Sequence, residues 1–280
     1  MPVYSEVHIN SADRKQVSLF RTIREHRQYI LSNAFQEFLY KYAGTGIGLM
    51  WNVIHPIMMV IVFSFVFTTI MPARYAAGGV HDVSFVLFLC SGLLPWLSFV
   101  DGLQRGTMTF IDSAGYLRKL AIPEEVFLAK TVVGSCILLT INIAVLVLAA
   151  FVLGFWPRWT WLLMPVVGTM MMLMAFGLGA LFATINVFTR DVSQIVMIVT
   201  QLWMWLTPIV YSSTTMPEWL RSLQLANPIY PFIELFRDVF LFGSVGTPVL
   251  WLAALFWTTV TLLAGSMMLQ RFRSELRDLL

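Results

Sequence analysis

The chain is short of charge. Over 280 residues only 12% are Asp, Glu, Lys or Arg, while 58% are hydrophobic and the mean hydropathy is +0.77. A soluble domain carries about 25% charged residues, so the composition excludes a freely soluble protein and points to an integral membrane one. The net charge of +3 is too small to argue for a nucleic-acid partner. Cysteine is scarce too. Cys90 and Cys136 both fall in apolar stretches, which argues against a disulfide framework or a thiolate metal site and for inert buried thiols. His8, His26, His55 and His81 are scattered, with no H-E-x-x-H spacing. The chain lacks G-x-x-x-x-G-K-[ST] and G-x-S-x-G, so it shows neither a phosphate-cradling loop nor a nucleophile elbow. Near the apolar blocks, Asp82, Asp101, Glu124, Glu125, Asp191, Glu218, Glu234 and Asp238 all sit at or beyond a block end. An ion-coupled carrier keeps an ionisable group at mid-membrane. Only His55, beside Pro56, offers one here, and a lone histidine there reads first as a hydrogen-bonded packing residue.

What the chain does have is six long apolar blocks. They predict spans at 47–71, 83–100, 126–155, 160–187, 193–211 and 248–269, each near the ~20 residues a bilayer core requires. Pro95 and Pro208 predict kinks in the second and fifth. The mostly polar residues ahead of the first block do not read as a cleaved signal. Within them Ile30, Leu31, Ala34, Phe35, Phe38, Leu39 and Tyr42 form one helical stripe, opposite Ser32, Asn33, Gln36, Glu37 and Lys41. That pattern predicts a helix over 30–43 lying in the membrane interface. Gly44, Gly46 and Gly48 then supply a flexible corner. With the N-terminus inside, all 18 basic residues except Arg74, Arg158, Arg221 and Arg237 fall on the inner side, so both termini are expected in the cytoplasm. Trp156, Trp159, Trp161, Trp219 and Trp251 gather near the outer ends, as an aromatic belt would.

Two interruptions carry patterns of their own. In 101–125, Phe110, Ile111, Ala114, Leu117 and Leu120 recur at three and four residues, with Thr109, Asp112, Ser113, Arg118 and Lys119 between them. Pro123, Glu124 and Glu125 read as the first turn of the next helix. The stretch is either a solvated loop on the membrane surface or a docking helix for a soluble partner. In 212–247, two pieces at 217–226 and 229–242 are too apolar for a free loop. They are re-entrant helices in the outer leaflet or a folded cap above it. Asn52, Asn142 and Gln201 should face other helices or a water-filled cavity. Gly177, Gly179, Ala180 and Ala183 make a small-residue face, and Met170, Met171, Met172 and Met174 adaptable packing.

Several short motifs follow one another in a telling order. Leu49-Met50-Trp51 and Pro56 lie after the glycine corner, close to the pattern Y-x-x-x-x-L-G-x-x-W-x-x-x-x-P but with the glycine displaced to Gly48. Thr189-Arg190-Asp191 follows the fourth span, Thr207-Pro208-Ile209-Val210-Tyr211 closes the fifth, and Met216-Pro217, Asn227-Pro228 and Arg237 come after. Across residues 30 to 275 this set resembles the type-2 ABC transporter permeases of the polysaccharide-export branch, for O-antigen, teichoic acid and capsule. His55-Pro56 stands where many capsule permeases have glutamate–proline, which leans toward O-antigen or teichoic acid.

The resemblance implies an all-α integral membrane protein of the bacterial inner membrane. It would have six transmembrane helices, an N-terminal amphipathic interface helix, a cytoplasmic coupling helix, and re-entrant outer helices between spans five and six. Residues 1–29 would be a cytoplasmic N-terminal segment, 30–275 a single membrane domain and 276–280 a cytoplasmic tail. The chain would be no enzyme and hold no cofactor. Its partners would be a second copy of itself, two copies of a separate ATPase that binds ATP and Mg, and a lipid-linked polysaccharide as substrate. Coupling to the ATPase would fall to Phe35, Phe38, Tyr42, Phe110, Ile111, Leu117, Arg118, Leu120, Arg190 and Asp191. Trp51, Phe63, Phe67, Trp203, Trp205 and Tyr211 would line the sugar path, since aromatic faces suit the C–H faces of pyranoses; each reads equally as helix packing. Pro217, Asn227, Pro228, Phe232 and Arg237 would form the outer gate. Export of a small hydrophobic drug or lipid by the same architecture stays open. An ion-coupled carrier or membrane enzyme is disfavoured by the missing mid-membrane carboxylates.

Overall fold

The computed structural model describes residues 19–40, 46–66, 69, 82–119, 122–213 and 216–279. Among these residues the regular structure is all helical, with no strand. Short helices α1 (Leu19–Glu25) and α2 (Arg27–Tyr40) precede α3 (Trp51–Phe65). Then come α4 (Asp82–Asp112), α5 (Ala114–Lys119) and α6 (Glu124–Val152). A 3-10 turn at Trp159–Leu163 opens α7 (Met164–Phe188), and α8 spans Val192–Leu206. Helices α9 (Glu218–Leu223) and α10 (Tyr230–Arg237) follow, the second running into a π turn at Asp238–Phe242, and α11 (Pro248–Leu279) closes the chain.

Among the described residues four helices are long and apolar enough to cross a bilayer: α4, α6, α7 with its opening turn, and α11. Helices α3 and α8 are apolar but only 15 residues each. The predicted first span therefore has a shorter described helix than 47–71, and its end lies outside the described residues. The bundle is built around α4, whose apolar window is 83% buried against 33% for α6 and 28% for α11.

The second predicted span differs most. The sequence suggests a span ending near residue 100 and a separate surface helix beyond it, but α4 runs unbroken for 31 residues through Pro95 to Asp112. Proline removes a donor from the helix ladder, and the polar groups around it are served from inside. Ser91 Oγ donates to Phe88 O at 2.8 Å, and Asn142 of α6 donates to Leu94 O at 3.1 Å and Ser98 Oγ at 2.8 Å. Farther along, the Thr107 and Thr109 hydroxyls donate to the carbonyls of Leu103 and Arg105 on their own helix. The break comes only at Ser113. Pro208, by contrast, sits past the end of α8, so it stops that helix rather than kinking it. Helix α11 continues through Leu279 with Leu276 fully buried, so the tail expected from residue 276 begins inside a packed helix.

Small residues set the closest approaches. A Cβ at Gly177 would collide with the Thr261 backbone of α11, and one at Gly265 with the Gly177 carbonyl. Gly106 and Gly179 bring α4 close to α7 as well, though less tightly, a Gly106 Cβ falling 3.2 Å from Gly179 Cα. Helix α7 thus docks two neighbours through two small faces, the device expected where lipid offers no hydrophobic drive. Met171, Met172 and Met174 fill the buried side of the same helix.

Candidate functional site

The end of the bundle that carries α5 is held by charge. On α2, Ile30 and Ala34 face inward, and the turn after them brings Glu37 with them. Its carboxylate meets Arg105 Nη2 of α4 at 2.6 Å and Lys130 Nζ of α6 at 2.9 Å. Arg105 also reaches Asp101 at 3.4 Å, and Asp101 accepts Ser135 Oγ at 2.6 Å. Burial alone pushes the Glu37 carboxyl up, but Lys130 and Arg105 together outweigh it and hold it below the usual carboxylate range. The sequence pattern puts Glu37 on the polar face; the structure turns it toward two buried-end cations. Left uncovered on α2 are Leu31, Leu39 and Phe35, the last 55% exposed, while Phe38 is half-buried. Tyr42 lies outside the described residues.

The apolar stripe of 101–125 faces the protein's own core. Phe110 and Leu117 are buried in a small cluster with Phe127, Ala183, Leu269 and Leu276, drawn from α6, α7 and α11. Ile111 is half-buried. What α5 presents outward is Tyr116, at 63% exposure, with Arg118 and Lys119. Arg190 and Asp191 are exposed in the turn joining α7 to α8. Leu120 lies outside the described residues. Glu124 and Glu125 begin α6 as the sequence suggests, but their side chains are buried. Arg273 of α11 faces both, 3.4 Å from Glu124 and in direct contact with Glu125.

The opposite half of α4 is covered by α10. Phe232, Ile233, Leu235 and Phe236 are fully buried, and α10 packs on α4, α7 and α11. Arg237, counted from sequence among the exterior charges, is fully buried instead. Its guanidinium donates to Pro208 O at 2.6 Å and Ile209 O at 2.7 Å, meets Glu234 at 3.1 Å, and lies 3.7 Å from the Phe88 ring centroid. Gly92 leaves room for it, since a Cβ there would sit 3.1 Å from Nη2. The planar fork suits two carbonyls and an aromatic face at once. Asn227 donates to Thr207 Oγ1 at 2.9 Å and accepts from Trp203 Nε1 at 2.7 Å. Pro217 starts α9 and is exposed; Pro228 is half-buried in the turn before α10. Trp161, expected in an interfacial belt, is buried. It stacks on Phe240 at 4.9 Å and donates to Phe240 O at 2.9 Å.

The six aromatic candidates are dispersed. Trp203 packs edge-on against Trp96 and Phe99 with centroids 5.8 and 5.9 Å away. Phe63 is half-buried against the core. Trp51 and Trp205 are exposed on α3 and α8, and the Tyr211 hydroxyl donates to Trp205 O at 2.8 Å. Phe67 lies outside the described residues. Trp51 also borders a cavity of about 260 Å³ with Asn52, His55, Asp101, Leu138 and Asn142. His55 is therefore on a cavity wall rather than packed, and the buried Asn52 amide nitrogen has no hydrogen-bond partner there. Gln201 is exposed. Among the described residues no three His, Cys, Asp or Glu side chains converge as a metal set. The Glu37, Arg105, Lys130 and Arg273 contacts escape sequence reasoning; only Asp101–Arg105, one helical turn apart, has a local signature.

Comparison with known proteins places this architecture. The family model described as ABC-2 type transporter matches residues 28–241. The O-antigen export system permease protein RfbA of Myxococcus xanthus is 27% identical over 266 residues, covering 94% of this chain and 99% of that protein. A second O-antigen export system permease protein RfbA, from Klebsiella pneumoniae, is 27% identical over 206 residues, 73% of this chain and 77% of the relative. The polysialic acid transport protein KpsM of Escherichia coli is 20% identical over 234 residues, 82% of this chain and 87% of the relative. A multi-pass helical membrane protein whose match runs from α2 to the π turn after α10, this chain belongs to the ABC-2 type transporter family.

Proposed function

We propose that the chain is the membrane subunit of an ATP-driven exporter that passes a lipid-linked polysaccharide, of O-antigen type, outward across the bacterial inner membrane. The observation that carries this reading is the likeness to an O-antigen export permease over nearly the whole of both chains. Two copies form the path, and two copies of a separate ATPase bind ATP and Mg. Both termini lie in the cytoplasm, residues 30–275 form one membrane domain, and α3 and α8 complete six spans. Helices α9 and α10 dip into the outer leaflet, where Asn227, Phe232 and Arg237, with Pro217 and Pro228 at the turns, hold the outer gate. Trp51, Phe63, Phe67, Trp203, Trp205 and Tyr211 stay candidates for the sugar path, Trp51 and Trp205 foremost because their rings are uncovered.

The ATPase meets the exposed side chains at the α5 end. These are Tyr116, Arg118, Arg190 and Asp191, with Phe35 on α2; Phe38, Tyr42, Ile111 and Leu120 stay candidates for the same contact. Phe110 and Leu117 act from beneath, seating α5. The test is export of surface polysaccharide in cells lacking the chain, restored by it together with its ATPase. Replacing Tyr116 and Arg118 by Ala and Glu should abolish export and lower permease-stimulated ATP hydrolysis while the protein still inserts. Full export by that variant sinks the docking role of α5. Restoration of drug resistance without surface glycan moves the substrate to a small hydrophobic compound, and glycan export of capsular type moves it to the polymer class named for the KpsM relative.

A further inference from the structure

The last turns of α11 do more than end a span. Beyond Gly265, where α11 lies against α7, Leu269 and Leu276 enter the small cluster that holds Phe110 and Leu117. Arg273, one turn from each, faces Glu124 and Glu125 at the start of α6, with side chains 1% and 4% exposed. Both carboxylates also lie in the first turn of α6, at its positive end. Only a planar fork reaches both acids; an ammonium is a point charge and serves one. The Arg273 side chain is 29% exposed, so the contact lies near the surface of the chain.

We infer that the segment from Leu269 to Leu279 is a brace that fixes the angle of α5 on the bundle, and that Arg273 is its positioning residue. The brace joins α5 to the last span through that shared cluster, as well as through α4. It rests on the reading of α5 as the docking helix.

The experiment uses the full chain with its ATPase, in a Cys90→Ala, Cys136→Ala background. Three readouts are taken: mobility of a nitroxide at Lys119→Cys, crosslinking to the ATPase of Gly115→Cys, an exposed position of α5 with open space around it, and ATP hydrolysed per polymer exported, normalised to the complex recovered. With Arg273→Ala the label should become mobile and the ATP used per polymer should rise about fivefold or more, the lower range of energetic coupling between sites. Arg273→Lys should recover part of both, and Arg273→Glu with Glu125→Arg most of both. A residue that only aids folding lowers the amount of complex and leaves the ratio alone. Wild-type mobility and ratio in Arg273→Ala overturn the brace. If that variant does not reach the membrane, Leu276→Ala, which trims the apolar half of the contact, decides in the same way. Absent Gly115 crosslinks with intact export mean that the docking reading itself has failed; crosslinks with an unchanged ratio mean that only the brace has.

Discussion

Two halves of α4 are secured by opposite means. Around Arg105, the α5 end is joined through carboxylates and cations that stay partly exposed, Glu37 being 39% and Arg105 25% exposed at the side chain. Around Phe88 and Gly92, the α10 end is closed over an arginine with no exposure at all, aimed at backbone carbonyls and an aromatic face. An ion pair at a wet rim is weak, screened by salt and easily re-formed. A buried charge whose partners are fixed backbone is costly to disturb, because removing one side strands the other. The first arrangement suits a joint that bends, the second a rigid plug that moves, if at all, as one piece.

The sharpest way to break that contrast is at Arg237. Replacing it by Ala should destabilise the protein by about 3–5 kcal/mol, read as a large drop in thermal midpoint in detergent. Arg237→Lys should recover little, because one ammonium cannot serve the Pro208 and Ile209 carbonyls and the Phe88 face together. A variant as stable as the parent would mean that the plug does not depend on that charge. Next in size is Trp161→Phe, which keeps the ring on Phe240 and loses one donated hydrogen bond. The expected cost is about 1 kcal/mol, measured by the same midpoint.

At the α5 end, Glu37→Gln should cost less than about 1 kcal/mol and lose its effect in high salt, while slowing export more than it lowers stability. An equal loss of both would erase the distinction between joint and plug. The smallest effect is with pH. A carboxyl held below its ordinary value contributes stability above the unfolded pKa, about 4.3 for glutamate, and loses it as pH falls through the folded one. Hydrogen exchange of α2 amides, corrected for intrinsic rate, should therefore be flat from pH 8 to about pH 5 and rise only in stronger acid. A rise at neutral pH would point to a different group.

How far these features can be read without coordinates depends on their range along the chain. The α2 stripe, the apolar blocks, the start of α6 at Glu124 and the helical pieces in 217–242 all rest on local periodicity and turn residues, and each has its helix. The inward stripe of Phe110 and Leu117 has the same periodicity, yet it covers the protein's own core. A repeat of three and four says that one face is apolar, not whether lipid, a partner or another helix meets it. Pro95 carries the same ambiguity: the residue alone does not say whether a helix ends or runs through it, and here α4 runs on to Asp112 in a packed setting.

The amino-acid sequence by itself determined that this is a helical membrane protein, where its apolar helices fall, and which stretches interrupt them, because those properties follow from composition and from spacing within one or two turns. Tertiary structure alone decided that Arg237 points inward, that Glu37 bridges two helices, and that Arg273 meets Glu125 across 148 positions of chain. Charges that far apart leave no mark on one another's neighbours in the sequence, and only the packing of α11 on α7, through Gly177 and Gly265, carries them to the same place.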